Sequence, residues 1–596
     1  MNFWTRVSRI ILKNRYLILI LIALATTFLV SQMKHMRFSY TEANLLPEDH
    51  EVNIQYNQFL DIFGEEGNLI LLAIKDSTVF TPAKFNLWNS LAKSFDSLNE
   101  VEFTLSIADV KKLKKDTKNK KFLLESIYTE KLTSQKTIDA VKEELFEKLP
   151  FYDNLLYNKE TGTIQTAIYI NKEIVNTPVR KAFVFNKLIP IIEAFEKETN
   201  LDVRVSGMPY IRTINAQNII DEIQLFVLGA LLITGIIFFF FFRSYRATFI
   251  TLLVVTIGVT WAFGFIGLFG YEITVLTALI PPLIIVIGVP NAVFLINKYQ
   301  QEIKLHGQQA KALQRVISKI GNATLMTNIT TASGFATFVF VKSQLLREFG
   351  ILASINILSI FVLALLIIPI LYSFMKPPKK KHLNHLEKKW IENVVNWMEN
   401  MVRKRRITIY ITTVVIIILG IVGLYQIRVS GSLIEDMPKT KAFYKDIKFF
   451  EKEFGGIMPL EILIDTKKDK GVMKLSTLKR MDKLNEVIAS FPELSKPVSV
   501  VNLVKYSKQA YYKGNPKYYQ LPTSQEQNYI FEYTKNSDGN SNLLNNFLDS
   551  TGQYGRITTF MKDVGTDKMN DIQERLQQVV TKEFPEERYA VSFTGK

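Results

Sequence analysis

Pro290 and Asn291 lie side by side in an otherwise apolar run, and Thr327, Asn328, Thr330 and Thr331 stud a second one. A helical proline has no N–H to donate, and its ring crowds the carbonyl one turn back. Pro290 therefore frees backbone oxygen. Amides and hydroxyls on a neighbouring helix can bond across to such a site. Two chemistries fit these six residues: an ion or proton path using the carbonyls of an interrupted helix, or interhelical packing. Asn291 has four potential partners on the second run: Thr327, Asn328, Thr330 and Thr331.

Other chemistries lack the residues to carry them. The chain has no cysteine and five histidines among 596 residues, which argues against disulfides, thiol catalysis and a metal or haem site. There is no Walker A glycine loop, nucleophile elbow or metal-ligand cluster, so the sequence predicts neither an enzyme nor a cofactor. The net charge of +17 could serve a nucleic acid, but no binding motif accompanies it. Its placement beside apolar runs, as at Lys376, Lys379–Lys381 and Arg403–Arg406, is that of the flanks of membrane spans.

A span needs about 20 mostly apolar residues. Seven runs approach this: Tyr16–Met33, Ile223–Phe242, Ala247–Leu268, Ile273–Asn297, Thr324–Val341, Gly350–Met375 and Ile407–Tyr425. Pro290 and Asn291 sit on the fourth, and the four threonine and asparagine residues on the fifth. With Pro281 and Pro282, Pro290 predicts a fourth span of discontinuous character. Gly229, Gly235, Gly258 and Gly264 predict close packing of the second and third. Gln300–Ile320 reads as an amphipathic helix on the inner membrane surface. Basic residues mark alternate connections, which places the N-terminus in the cytoplasm. The two large polar blocks, 34–221 and 426–596, then lie outside it. The first run lacks a clear small-x-small cleavage site, so an uncleaved anchor is expected.

The two blocks repeat one plan. After the first span come Asn44–His50 and Phe59–Gly64; after the seventh come Ser432–Asp436 and Phe449–Gly455. Strands follow at Asn68–Lys75 and Pro459–Thr466, helices at Pro82–Leu98 and Ser476–Phe491, and extended runs at Val101–Ile107 and Pro497–Val504. Each block then ends strand–helix–strand: Thr163–Ile170, Val179–Lys197 and Asp202–Ser206 closing on Gly207, against Gly555–Met561, Asp567–Lys582 and Ala590–Thr594 closing on Gly595. Two strand–helix–strand units per block suggest a ferredoxin-like α+β fold. The first block runs on into the second span, whereas the second reaches Lys596. A longer form of about twelve spans, two repeats of six, is therefore expected.

Short motifs complete the pattern. Leu45–His50 follows the first span, and Ile287-Gly-Val-Pro-Asn-Ala-Val-Phe-Leu-Ile-Asn-Lys-Tyr299 ends the fourth. Thr330-Thr-Ala-Ser-Gly-Phe335 lies in the fifth, and Phe349-Gly350 opens the sixth. In this order the chain resembles the resistance–nodulation–division superfamily, most closely its mycobacterial-membrane-protein-large (MMPL) type, related to Patched and the sterol-sensing proteins. Members driven by protons often hold an acid in the fourth span; Pro290 occupies that position here. No Asp, Glu, Lys, Arg or His lies within spans two to six.

The resemblance implies a helical bundle with two extracytoplasmic α+β domains. The expected division is 1–33 with the first span, 34–221 as the first outer domain, 222–375 as spans two to six, 376–406 as a cytoplasmic linker, 407–425 as the seventh span and 426–596 as the second outer domain. It also implies secondary export of a hydrophobic or amphipathic substrate, such as a lipid, across a bacterial inner membrane. A sterol-sensing-like receptor or scaffold and an accessory protein-export factor are the alternatives. The expected partners are membrane lipids, that substrate and a second copy of the chain, with no nucleic acid.

Overall fold

The computed structural model describes the chain except residues 1–2, 40–45, 48, 65–66, 108–109, 128–131, 275, 378–388, 428–430, 432–436, 438, 536–543, 545 and 596. Much of the Asn44–His50 motif, all of Ser432–Asp436, the lysine cluster of the linker and the polar stretch 536–542 thus lie outside the described residues. The chain forms two compact units: 1–48 with 216–428, and 49–215 with 429–596.

The first unit is helical. Among the described residues, six helices are long and apolar enough to cross a membrane: Arg15–His35, Met208–Phe240, Tyr245–Phe269, Thr277–His306, Gln344–Phe374 and Arg406–Gln426. They correspond to six of the seven expected runs. The expected fifth lies within one helix, Gln309–Ala336, which its asparagines and threonines make less apolar than these six. This corrects the reading of 300–320 as one surface helix. The fourth-span helix runs on to His306, Gly307 caps it in the left-handed conformation, and the next helix begins at Gln309. Glycine serves there because it takes positive φ without steric cost.

The fourth span is also less broken than expected. Ile280–His306 is a single helix. Pro281 and Pro282 occupy its first turn, where no N–H partner is needed, so only Pro290 interrupts the ladder. Small residues do bring helices together, though not all those anticipated. A Cβ on Gly264 would fall 2.6 Å from that of Leu29, and one on Gly267 would fall 2.2 Å from the Gln32 carbonyl oxygen. The first span therefore lies directly on the third, and Trp261 Nε1 donates to Thr26 Oγ1 at 2.9 Å. Gly258 and Gly288 both receive Ile360 of the sixth span. Gly229 has open space around it, and Gly235 meets only the tip of Leu252.

The second unit holds two four-stranded antiparallel sheets. Strands β1 (Leu69–Ile74), β2 (Val101–Ser106), β3 (Ile164–Ile170) and β4 (Arg204–Ser206) are ordered β2-β3-β1-β4. Strands β5 (Met458–Asp465), β6 (Val498–Ser499), β7 (Tyr554–Met561) and β8 (Ala590–Thr594) are ordered β6-β7-β5-β8. The two orders are the same. One expected strand shrinks: 497–504 gives only β6 before the helix Val500–Tyr511 takes over. Its β-branched valines suggest a strand, but Ser499 and Asn502 form a capping box that starts a helix.

The apolar run of β1 faces two ways. Ile70, Leu72 and Ile74 enter the core of their own block, beside Trp88 and Phe95. Leu71 and Ala73 point to the opposite face, where Phe443, Ile447, Phe450 and Phe454 cover them. Those four aromatic and aliphatic residues lie on the helix Ala442–Phe454, which follows the seventh span in sequence. The exchange is reciprocal. On Glu51–Phe63, the helix after the first span, Phe59 and Phe63 lie 5.2 and 5.7 Å from the Arg556 guanidinium of β7. Each helix has 13 residues, and each ends on a positive-φ glycine, Gly64 or Gly455.

A hairpin of Lys111–Asp116 and Lys121–Ser126 joins the blocks further. The Leu113 N–H donates to Tyr506 Oη at 3.1 Å, Tyr506 stacks on Phe151 at 4.9 Å, and Lys115 Nζ sits 3.4 Å from the Tyr511 ring centre.

Within the second block, Glu526 ties the helices together. It accepts from Tyr512 Oη at 2.6 Å and the Thr523 N–H at 2.8 Å, and pairs with the buried Lys508 at 2.9 Å. Burial opposes its charge, but these donors outweigh burial and hold its pKa down at about 2. A depressed carboxylate stabilises fully above its unfolded value, near 4.5, and loses that contribution as pH falls towards the folded value. We expect Glu526→Gln to unfold more readily at neutral pH and to lose less stability between pH 4.5 and 2. Urea unfolding across that range checks both expectations; parallel curves for the two proteins would refute the assignment.

Candidate functional site

Of the six expected site residues, the structure brings two together by side chain. Asn291 Nδ2 donates to Asn328 Oδ1 at 3.1 Å, and Asn328 Nδ2 donates to Asn291 Oδ1 at 2.9 Å and to the Thr324 carbonyl at 2.7 Å. Both residues are buried. Thr327, Thr330 and Thr331 stand apart: the first two are exposed and the third half-buried, and each donates to a carbonyl four residues back, of Ala323, Met326 and Thr327 respectively. Pro290 leaves the Val286 carbonyl without its helical N–H, on an exposed flank of the fourth span. The bundle thus encloses a closed amide pair, not a cluster of six.

Such a pair binds helices because each amide meets the other's needs. Removing one partner leaves the other amide buried and poorly satisfied, at about 1–2 kcal/mol. Asn291→Leu and Asn328→Leu should each lower the melting temperature in detergent, while the double replacement should recover most of the loss. Non-recovery in the double variant would mean that the pair does more than hold the helices together.

Two polar features of this unit had not been anticipated. Asn356 of the sixth span is buried and donates to the Leu352 carbonyl at 2.8 Å, while its Oδ1 accepts nothing among the described residues. Glu302, at the end of the fourth span, is 1% exposed and gathers Lys319 at 3.0 Å, Arg315 at 3.4 Å, His306 at 3.5 Å and Lys298 at 3.7 Å. The signal was present in the sequence: an acid four residues from a basic neighbour on either side lies on one helical face with both. Gln309 then donates to the Tyr372 and Met375 carbonyls at 2.5 and 2.8 Å, fastening the start of the fifth helix to the end of the sixth.

In the second unit, the crossing helix Ala442–Phe454 is fixed by charge at both ends. Asp446 Oδ1 pairs with Arg204 at 3.0 Å. Glu453 takes Lys75 at 2.6 Å and the Thr163 hydroxyl at 2.8 Å. Burial raises the Asp446 pKa despite Arg204. At Glu453 burial is overcome by Lys75 and two threonine hydroxyls, which lower the pKa. On the other sheet, Arg556 reaches Glu461 through two bonds of 2.9 Å. A cleft of about 300 Å³ opens beside β5 and β7, lined by Met458, Met561, Met569, Asp563 and Thr566. Methionines adapt their shape to apolar guests, and the volume is at the lower end for small-ligand pockets. Neither this cleft nor its methionines stood out in the sequence, because its walls come from residues far apart in the chain.

No group of three or more histidine or acidic side chains placed to hold a metal occurs among the described residues.

A bundle of long apolar helices, joined in sequence to two folded α+β blocks, defines a multi-pass membrane protein. Residues 184–406 match the model of the MMPL family, in agreement with the resemblance carried by the motifs of spans four to six. The chain is 27% identical over 172 residues to a membrane protein of Methanocaldococcus jannaschii, covering 29% of this chain and 44% of that one. It is 23% identical over 394 residues to the apo-petrobactin exporter of Bacillus anthracis, covering 58% of this chain and 51% of that one. The chain thus spans about half the length of the curated relatives it matches.

Proposed function

We propose that the protein is a secondary transporter that exports an amphipathic, lipid-like molecule, with the methionine-lined cleft receiving its apolar part. The observation carrying this reading is the cleft's position on the sheet of an α+β block, in a chain whose membrane segment matches the MMPL family. A relative named as an exporter supports the direction. The shared strand order, a strand–helix–strand plan given twice per block, supports ferredoxin-like units. Basic residues on alternate connections support a cytoplasmic N-terminus with both blocks outside the cell membrane. The chain has no natural cysteine, so Lys118→Cys and Lys513→Cys, at exposed positions of the two blocks, test sidedness. A membrane-impermeant thiol reagent should label both from outside; labelling of one alone would overturn the arrangement.

The cleft is tested with a diazirine-bearing phospholipid in membrane vesicles. Adducts should concentrate at Met561 and Met569 and fall several-fold in Met561→Glu, and cells expressing the protein should export a fluorescent phospholipid analogue. Adducts spread evenly over the chain would remove the cleft from the argument. The closed Asn291–Asn328 pair favours a second reading, a lipid sensor without pumping, because an amide pair cannot exchange protons as a buried carboxylate does. Labelling of the cleft without export, under any imposed proton gradient, would select that reading.

A further inference from the structure

The first helix of the chain, Phe3–Lys13, is an amphipathic helix with a definite seat. Ile11 is buried, and the Trp4 ring presses on Gly321 of the fifth helix, where an added Cβ would fall 2.6 Å from it. Two other positions are left uncovered. Phe3 is 69% and Ile10 57% exposed, and residues seven apart share one face of a helix. An apolar face of this kind, on a helix carrying Arg6, Arg9 and Lys13, suits the boundary between headgroups and acyl chains.

Beside this helix lies a second cavity of about 870 Å³. Arg9, Leu12 and Lys13 line one wall; Gln308, Lys311 and Gln314 line the other. Most basic residues nearby are already engaged, since Glu302 gathers Lys298, Arg315 and Lys319. Arg9, Lys13 and Lys311 are different. All three are exposed, and none has a carboxylate within ion-pair distance among the described residues. Three cations line one open cavity beside this helix, with glutamine amides in the same lining and no carboxylate in ion-pair contact with any of the three among the described residues.

We propose that this cavity binds the phosphate-bearing headgroup of an anionic phospholipid. The guanidinium of Arg9 and the ammonium groups of Lys13 and Lys311 supply the countercharge, and the Gln308 and Gln314 amides are available as donors to phosphate or glycerol oxygens. Leu12 meets the start of the acyl chain, and the exposed Phe3 and Ile10 enter the same lipid layer. Basic pockets among membrane helices are a recurring form of headgroup recognition, and each basic residue near an anionic surface adds attraction of its own. The lipid comes from the surrounding bilayer, and its placement in the inner leaflet rests on the sidedness proposed above. It is distinct from an exported molecule, because the methionine cleft belongs to the other unit.

The test is made on the purified chain in neutral detergent, where neither transport nor sidedness enters. Native mass spectrometry would count retained lipid after exchange into phosphatidylglycerol or, separately, phosphatidylcholine. Wild-type protein should retain phosphatidylglycerol in preference to phosphatidylcholine. The triple variant Arg9→Gln, Lys13→Gln, Lys311→Gln should bind phosphatidylglycerol about 100-fold more weakly, from the loss of three cations near one phosphate. A control losing the same charge elsewhere, Arg403→Gln, Lys404→Gln, Arg405→Gln, should bind within a few-fold of wild type. Should the triple variant fold poorly, Arg9→Lys with Lys311→Arg keeps the charge and should keep the affinity, while Lys311→Gln alone should lower it several-fold. Equal losses in triple variant and control would reduce the effect to diffuse charge and overturn the proposal. So would equal retention of the two lipids, or displacement of phosphatidylglycerol by millimolar glycerol 1-phosphate, which would assign the cavity to a soluble phosphate.

Discussion

Glu302→Gln is expected to destabilise the membrane unit by about 3 kcal/mol, because it removes the one anion among four basic side chains. The carboxylate is 1% exposed, whereas Lys298, His306, Arg315 and Lys319 are 27, 35, 36 and 57% exposed. Solvent partly screens the repulsion left among the cations, which places the loss at the low end for a broken buried pair. Glutamine keeps the size and one acceptor, so the effect reports charge and not volume. Thermal unfolding in detergent would measure it. Adding Lys319→Gln, which removes the nearest cation, should return part of the loss. An unchanged melting temperature in Glu302→Gln would show that these ion pairs contribute nothing to holding the turn between the fourth and fifth helices.

A loss at least as large is expected from Gly207→Ala in the second unit. Gly207 follows β4 with φ of +106°, and a Cβ there would lie 2.2 Å from the Leu69 carbonyl oxygen and 2.9 Å from Ile70 Cα. Those atoms open β1, which is paired with β3 on one side and β4 on the other, so they cannot give way. Backbone strain and overlap act together, for about 3 kcal/mol or more. Gly162 is the control: its φ is +71°, but no atom lies within 4 Å, so alanine there should cost about 1 kcal/mol. Equal effects at the two positions, measured by urea unfolding, would show that overlap with β1 is unimportant. Gly595 repeats the arrangement in the other block, with a Cβ position 2.4 Å from the Pro459 carbonyl oxygen.

That correspondence shows which part of the fold was legible. Gly64 with Gly455, and Gly207 with Gly595, were matched from the sequence; the first two both end helices with positive φ, and the second two both press on a strand carbonyl. Strands such as Leu69–Ile74 and Ala590–Thr594 lie within a residue of expectation, since an apolar run bounded by glycine is a strong local signal. The hairpin Lys111–Ser126 went unseen. Its buried anchors, Leu113 and Phe122, are isolated within lysine-rich strands, and no alternation marks them. The site was less legible than the fold. Composition could place Asn291 and Asn328 in the membrane, but only the rotation of two helices decides that Asn328 faces Asn291 while Thr327, Thr330 and Thr331 do not. The methionine cleft and the basic cavity are likewise assembled from distant segments, and spacing along the chain carries no trace of either.

The exchange of helices between the two blocks bears on how the protein is made. The far face of the first sheet, with Leu71, Ala73 and Ala167, is covered by Phe443, Ile447, Phe450 and Phe454, and all the central membrane helices lie between these partners in the sequence. As the chain leaves the ribosome, the first block is finished long before its cover is synthesised. It must wait with an apolar surface open, in the condition that draws chaperones and invites aggregation. The same dependence makes residues 49–215 a poor unit for separate expression: released from its partner segment, the block would keep a sheet face that the helix Ala442–Phe454 closes.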